Sequence, residues 1–164
     1  MLQIGHPSCL SRLWETAMER ILVTVTKGST EELGALARGI SLARRIGGRL
    51  YVLGLKRPGI PGSESPACLV PAADEVAERM QMLIEGARAD GVFVDTYVAE
   101  GCDEERILEF CREHRVTLWV VGVPGRHRRE HQQAVMRVHK IRHRLGCPVE
   151  MVYPKKEIGQ PEED

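Results

Sequence analysis

Two glycine-bearing segments hold the residues best suited to a charged ligand. Thr26-Lys27-Gly28-Ser29-Thr30 follows one apolar run, and Gly122-Val123-Pro124-Gly125-Arg126 follows another. Glycine lets backbone amides approach a phosphate with no side chain in the way, and a helix N-terminus adds partial positive charge. Arg126, Arg128 and Arg129, with His127 and Lys27, add a basic rim. Arginine can hold phosphate oxygens in pairs. The plainer reading of the same residues is two ordinary strand–helix turns and a solvated basic loop.

The other reactive side chains are weaker candidates. His139 and His143 are four apart and share a helix face, with His131 two turns earlier. Such a pair can chelate a transition metal, but no acidic or cysteine ligand is spaced to complete the shell, so no metal is expected. His114 falls near a helix C-terminus, where the dipole favours it. Cys102 precedes a helix start, where a thiol pKa falls and oxidants react, whereas Cys111 lies on an apolar helix face. No Ser-His-Asp set or carboxylate pair can be assembled from the spacing. No catalytic residue is therefore named, and the expectation is a protein that is not an enzyme.

These residues need a scaffold, and the hydrophobic pattern supplies one. Ile21 to Val25 and Leu50 to Leu55 are apolar runs of the kind buried on both faces of a parallel sheet. Ser29 and Glu32 form a capping box that opens a helix carrying Leu33, Leu36, Ile40 and Ala43, and Gly47-Gly48 stops it. A second helix spans about residues 73–90, burying Val76, Met80, Leu83, Ile84 and Ala87. Val92 to Val98 alternates and predicts a strand near an edge. Asp103 caps a third helix with Ile107, Leu108 and Cys111. Thr117 to Val121 is a fourth strand, Glu130 to Leu145 a fourth helix, and Pro148 to Tyr153 a fifth strand. Strands separated by helices call for a parallel α/β sheet with right-handed crossovers. Ligands in such sheets bind beyond the strands' carboxyl ends, where the strand order reverses.

The flanks are less patterned. Residues 1–19 form an N-terminal extension in which Leu10, Leu13, Trp14 and Met18 can line a short helix, as an arm or as a frayed tail. Residues 56–72, with Pro58, Pro61, Pro66 and Pro71, read as a loop, and residues 155–164 as a polar, disordered tail. The 164 residues suit one domain, 20–154. Lysine plus arginine equals aspartate plus glutamate at 23 each, which argues against a nucleic-acid coat. No apolar run approaches the ~20 residues of a membrane helix, and the N-terminus does not read as a signal peptide. The five cysteines include no Cys-x-x-Cys, so reduced thiols in a cytoplasm are expected.

From Arg20 to Pro154 the sequence resembles the universal stress protein family (UspA-like). The resemblance is carried by Ile-Leu-Val-Thr-Val-Thr at 21–26 followed by Gly28-Ser29, by Val120 to Arg126, and by Gly146-Cys147-Pro148-Val149 before the last strand. It implies a Rossmann-like open five-stranded parallel sheet of order 3-2-1-4-5 with helices on both faces. It also implies a homodimer paired through the last strand, with Val149, Met151 and Tyr153 at the contact. The nucleotide positions it implies are Thr26, Lys27, Gly28, Leu55, Gly122, Val123, Gly125, Arg126, Val135 and Met136.

The family's ATP-binding signature is Gly, two residues, Gly, nine residues, then Gly with Ser or Thr. Gly122 and Gly125 satisfy the first half, but Val135-Met136 stand where Gly-Ser belongs, and Thr26 replaces the aspartate that ends the first strand. Val135 would crowd a phosphate at a helix start and Met136 lacks a hydroxyl. Each lost contact costs about 1–3 kcal/mol, which together weaken binding by about two to four decades. The resemblance thus implies a stress-response or regulatory protein with a degenerate nucleotide crevice and no required cofactor, acting through an unidentified protein partner or a small anionic ligand. Two alternatives remain open: an ATP or AMP switch using the Arg126–Arg129 loop, and a structural module whose crevice its own side chains fill.

Overall fold

The computed structural model describes residues 18–26, 28–56, 74–101, 104–125 and 127–153. Nine elements alternate along them: β1 (Arg20–Val25), α1 (Thr30–Ile46), β2 (Arg49–Lys56), α2 (Asp74–Ala89), β3 (Phe93–Glu100), α3 (Glu104–Glu113), β4 (Leu118–Gly122), α4 (Arg128–Arg142) and β5 (Val149–Val152). The expected arm helix within 1–17, most of the 56–72 loop, the Asp103 cap, Cys102 and the tail lie outside the described residues.

β1 takes the central place because its side chains are apolar on both faces. Ile21 to Val25 are all buried. It pairs in parallel with β2, from Arg20 opposite Arg49 to Val25 opposite Gly54. On its other side it pairs with β4, Leu22 opposite Trp119. β3 extends the sheet from β2, and β5 from β4. The order is β3-β2-β1-β4-β5, all parallel, as the resemblance implies.

The period of two along each strand divides the core into two layers. Ile21, Val23, Leu50, Val52, Val94 and Val120 meet Leu36, Ile40 and Ala43 of α1 and Met80, Ile84 and Ala87 of α2. Leu22, Tyr51, Leu53 and Trp119 point the other way, against Ile107, Leu108, Phe110 and Cys111 of α3 and Val138 and Ile141 of α4. Trp119 is the largest fully buried side chain. Its indole N–H donates to the buried Thr24 hydroxyl at 3.1 Å, so the cost of burying a ring nitrogen is met inside the sheet.

Among the described residues each outer strand has one edge without a sheet partner, and the two differ in exposure. β3 buries Val94 but exposes Phe93, Tyr97 and Val98, so it lies at an edge as expected, while the alternation read from Val92 to Val98 does not carry through to a buried Val98. β5 is half-buried at all four positions. Element ends moved slightly from the sequence expectations. α4 starts two residues earlier than expected and ends at Arg142 rather than Leu145, and β5 is shorter by two residues. Helix boundaries are set by the last intact backbone bonds, which hydrophobic spacing does not report.

A candidate nucleotide crevice at the sheet's reversal

The strand order reverses between β1 and β4, and both candidate glycine segments follow from that point. One wall is the turn from β1 into α1. Gly28 adopts φ 68°, a left-handed conformation that favours glycine, and lets the chain reverse from strand to helix. Ser29 is the N-cap of α1. Its hydroxyl accepts from the Glu32 amide at 3.3 Å, and Glu32 reaches back to the Ser29 amide at 3.5 Å, so the capping box read from the sequence is present.

The Glu32 carboxylate does more than cap. It is buried, and it also accepts hydrogen bonds from the backbone amide of Thr26 and, at 3.5 Å, from the Thr26 hydroxyl. Thr26 directly follows β1, where the resemblance implies an aspartate. The tip of β1 therefore does carry a carboxylate, supplied from the first turn of α1. Sequence reading missed this role because Glu32 was already explained by its bond to Ser29, and the six-residue reach back to Thr26 depends on how the turn folds.

Gly122 has a role within the protein's own backbone. A Cβ on it would stand 2.5 Å from the Glu31 carbonyl oxygen and 2.8 Å from the Glu32 amide nitrogen. The end of β4 lies directly against the first turn of α1, and only glycine permits that approach. This glycine is required by the protein's own backbone whether or not a nucleotide is ever present.

The second wall is the turn from β4 into α4. Val123 is fully buried and its amide donates to the Val152 carbonyl at 2.9 Å, so it is core and sheet rather than a ligand contact. Leu55 is likewise buried, in the layer that faces α3 and α4. Gly125 is exposed. Pro124 leaves its carbonyl 3.0 Å from Nδ1 of His131, which as the protonated nitrogen donates to it. α4 then begins at Arg128, with His127 extended at its N-cap and making no side-chain cap bond. Arg128 and Arg129 are exposed in the first turn. Lys27 and Arg126 lie outside the described residues.

Val135 and Met136 do not stand at a helix start. They lie well inside α4, which opens at Arg128. Val135 is half-buried and Met136 is 70% exposed. Their amides belong to the helix's own i to i−4 ladder, so neither amide is free to hold a phosphate as at a helix start. The expectation that these two side chains fill a phosphate cradle is thus corrected. The barrier at this position is an unbroken helix, and Met136 points to solvent rather than into the crevice. The run from Arg128 to Arg142 has no glycine or proline to interrupt it.

The remaining candidates fall elsewhere. His139 and His143 are exposed, and among the described residues no group of three or more His, Cys, Asp or Glu side chains could hold a metal ion. His114 stacks on Phe110 with ring centroids 3.9 Å apart, beside Tyr51 and Tyr97. This aromatic group joins β2, β3 and the end of α3, and no local spacing announces it. Tyr153, just beyond β5, is 51% exposed and lies 5.8 Å from the His131 ring. Val149 and Met151 are half-buried on the same edge strand. Glu150 is paired with Arg38 of α1 at 2.7 Å.

An open parallel sheet with helices on both faces and a strand-order reversal flanked by two glycine turns defines a Rossmann-like domain. The sequence profile of the Universal stress protein family matches residues 18–152, and the chain belongs to that family. Solved structures repeat the fold. A universal stress protein family member from Burkholderia pseudomallei is 23% identical, with TM-score 0.53 over 82% of this chain and 95% of its own. A universal stress protein in complex with cAMP is 16% identical, with TM-score 0.57 over 85% of this chain and 99% of its own. A family protein from Arabidopsis thaliana with AMP bound is 16% identical, with TM-score 0.52 over 84% of this chain and 93% of its own. At these identities the likeness is one of fold. None of the curated proteins matches the sequence. Among the described residues no helix is long and apolar enough to cross a membrane.

Proposed function

We propose that this chain is a non-enzymatic regulatory member of the universal stress protein family, dimeric and cytoplasmic, whose crevice binds ATP weakly or not at all. One observation carries the reading. The positions that would supply Gly-Ser to a triphosphate lie inside α4, with their amides already committed to the helix. The buried Glu32 carboxylate supports it further, since it occupies the Thr26 amide and places negative charge at the crevice's inner end. Homodimer pairing through β5 is supported by the unpaired edge carrying Val149, Met151 and Tyr153. The partner on which the dimer acts would be a protein.

A second reading is favoured by the opening of α4. Its first turn has no side-chain cap, and Arg128 and Arg129 are exposed there. A nucleoside monophosphate places a single phosphate at such a turn, and two of the structural relatives carry AMP or cAMP. Equilibrium binding of labelled ATP, ADP, AMP and cAMP separates the two. ATP affinity tighter than ~1 μM overturns the first reading. If AMP binds, Arg126→Ala with Arg129→Ala should weaken it by about tenfold or more, and unchanged AMP affinity in that variant removes the second reading.

A further inference from the structure

The charges of this chain are unevenly placed. From Arg126 to Arg144 the sequence holds 7 of the 23 lysines and arginines but only 1 of the 23 aspartates and glutamates, Glu130. The rest of the chain is left with 16 basic against 22 acidic residues. α4 packs on the sheet through Val138 and Ile141 and turns its opposite face to solvent. Arg129, Met136, Lys140 and His143 fall on the outermost stripe at helical spacing, with Arg137 and Arg142 exposed to either side. Local stability does not explain this composition. Like charges on one helix repel, and Arg128 and Arg129 in the first turn oppose the helix dipole.

The helix already receives carboxylates from its own chain. Glu104 and Glu105, in the first turn of α3, pair with Lys140 at 3.8 Å and with Arg144, just past α4, at 2.6 Å. Among the described residues Arg128, Arg129, Arg137 and Arg142 make no ion pair. We propose that the solvent face of α4 is the docking surface for an acidic segment of a partner protein. Its carboxylates pair with Arg129, Arg137 and Arg142, and an apolar side chain rests on Met136. This rests on the reading that the protein acts through a protein partner, and it names the chemistry of that partner.

A short acidic segment fits this face better than the other polyanions. The 15 residues of α4 span about 22 Å, the length of about seven residues of extended peptide. Arginine matches a carboxylate through paired N–H donors, and arginine and methionine are both enriched at protein interfaces. A long nucleic acid would run past the helix toward a body in which acidic residues outnumber basic ones. A single strand needs aromatic platforms for its bases, and α4 has no phenylalanine, tyrosine or tryptophan. A lipid surface takes up several apolar side chains, and among the described residues Met136 is the only large one exposed on α4.

The test titrates the full chain into fluorescein-labelled hepta-glutamate and follows anisotropy. Hepta-glutamine, a DNA duplex of about 20 base pairs and phosphatidylserine vesicles are run beside it. Hepta-glutamate should bind with a Kd of about 100 μM or tighter at low salt, and weaken about tenfold between ~50 and ~300 mM salt. Hepta-glutamine should not bind. Arg137→Glu with Arg142→Glu should weaken the peptide about tenfold or more. Both side chains are exposed and lie beyond the first turn of α4, so fold and nucleotide affinity should not change. Glu104→Gln with Glu105→Gln should instead tighten the peptide about two- to threefold, because Lys140 and Arg144 are released. No binding at ~1 mM peptide, unchanged affinity in either variant, or tighter binding of DNA or vesicles than of peptide overturns the proposal. If the charge-reversed variant unfolds, the Glu104 and Glu105 variant decides. Nucleotide titrations remain a separate readout. Tight ATP binding would overturn the reading of the crevice and leave this surface standing, and failure of the peptide to bind would leave weak ATP binding untouched.

Discussion

The two turns that wall the crevice perform the same topological task with opposite degrees of closure. The turn from β1 into α1 is fully bonded. Ser29 caps the helix, Glu32 returns the cap and continues to Thr26, and Gly122 lets β4 rest on the first helical turn. The turn from β4 into α4 has no side-chain cap, and its first helical turn carries exposed Arg128 and Arg129. One helix start is satisfied by a carboxylate of its own chain. The other has its donors and its positive charge facing outward. Within one crevice, then, anion capacity lies on the α4 side and has been closed off on the α1 side.

Substitutions can break this contrast, and Gly122→Val should do so most severely. Its side chain would collide with backbone atoms of Glu31 and Glu32, which cannot rotate away. A loss of about 3 kcal/mol or more in urea unfolding is expected. A loss below about 1 kcal/mol would mean that α1 and β4 do not touch as described.

Glu32→Ala should come next. It removes the acceptor of the Thr26 and Ser29 amides from a buried position, for a loss of about 1–3 kcal/mol. Chemical denaturation measures the stability, and hydrogen exchange at the Thr26 amide should accelerate in parallel. Protection of that amide unchanged in the variant would show that Glu32 is not its partner.

The smallest effect sharpens the contrast from the other side. His127→Asp places a short carboxylate at the extended N-cap of α4. It should raise stability by about 1 kcal/mol, read as a shift in the urea midpoint with the slope unchanged. No shift would indicate that the turn is already satisfied by other groups.

Much of this molecule could be read from local pattern. The strands Ile21–Val25 and Leu50–Leu55, the helix faces built on Leu36, Ile40 and Ala43 or on Met80, Ile84 and Ala87, and the Ser29–Glu32 box all obey rules that reach no further than four residues. The strand order came through family likeness, since parallel pairing across crossovers leaves no short-range trace. The site divided along the same line. Its two glycine turns were visible, whereas the reason for Gly122 was not, because the atoms it must avoid belong to Glu31 and Glu32, ninety residues away.

Val135 and Met136 illustrate the opposite failure. Counting residues along a signature assigns them to a helix start, although the helix expected from Glu130 to Leu145 already runs through both positions. The stretch from Arg128 onward contains good helix formers and no breaker, so the helix nucleates earlier and passes through both positions. Amino-acid order alone thus determined the alternating α/β elements, the buried faces and one capped helix start, because these follow from periodicity and neighbouring bonds. Only the tertiary structure decided that Glu32 reaches Thr26, that Gly122 lies against the first turn of α1, and that Tyr51, Tyr97, Phe110 and His114 share one cluster. Each of those contacts joins groups that the chain brings together only after the sheet and its covering helices have closed around a common core.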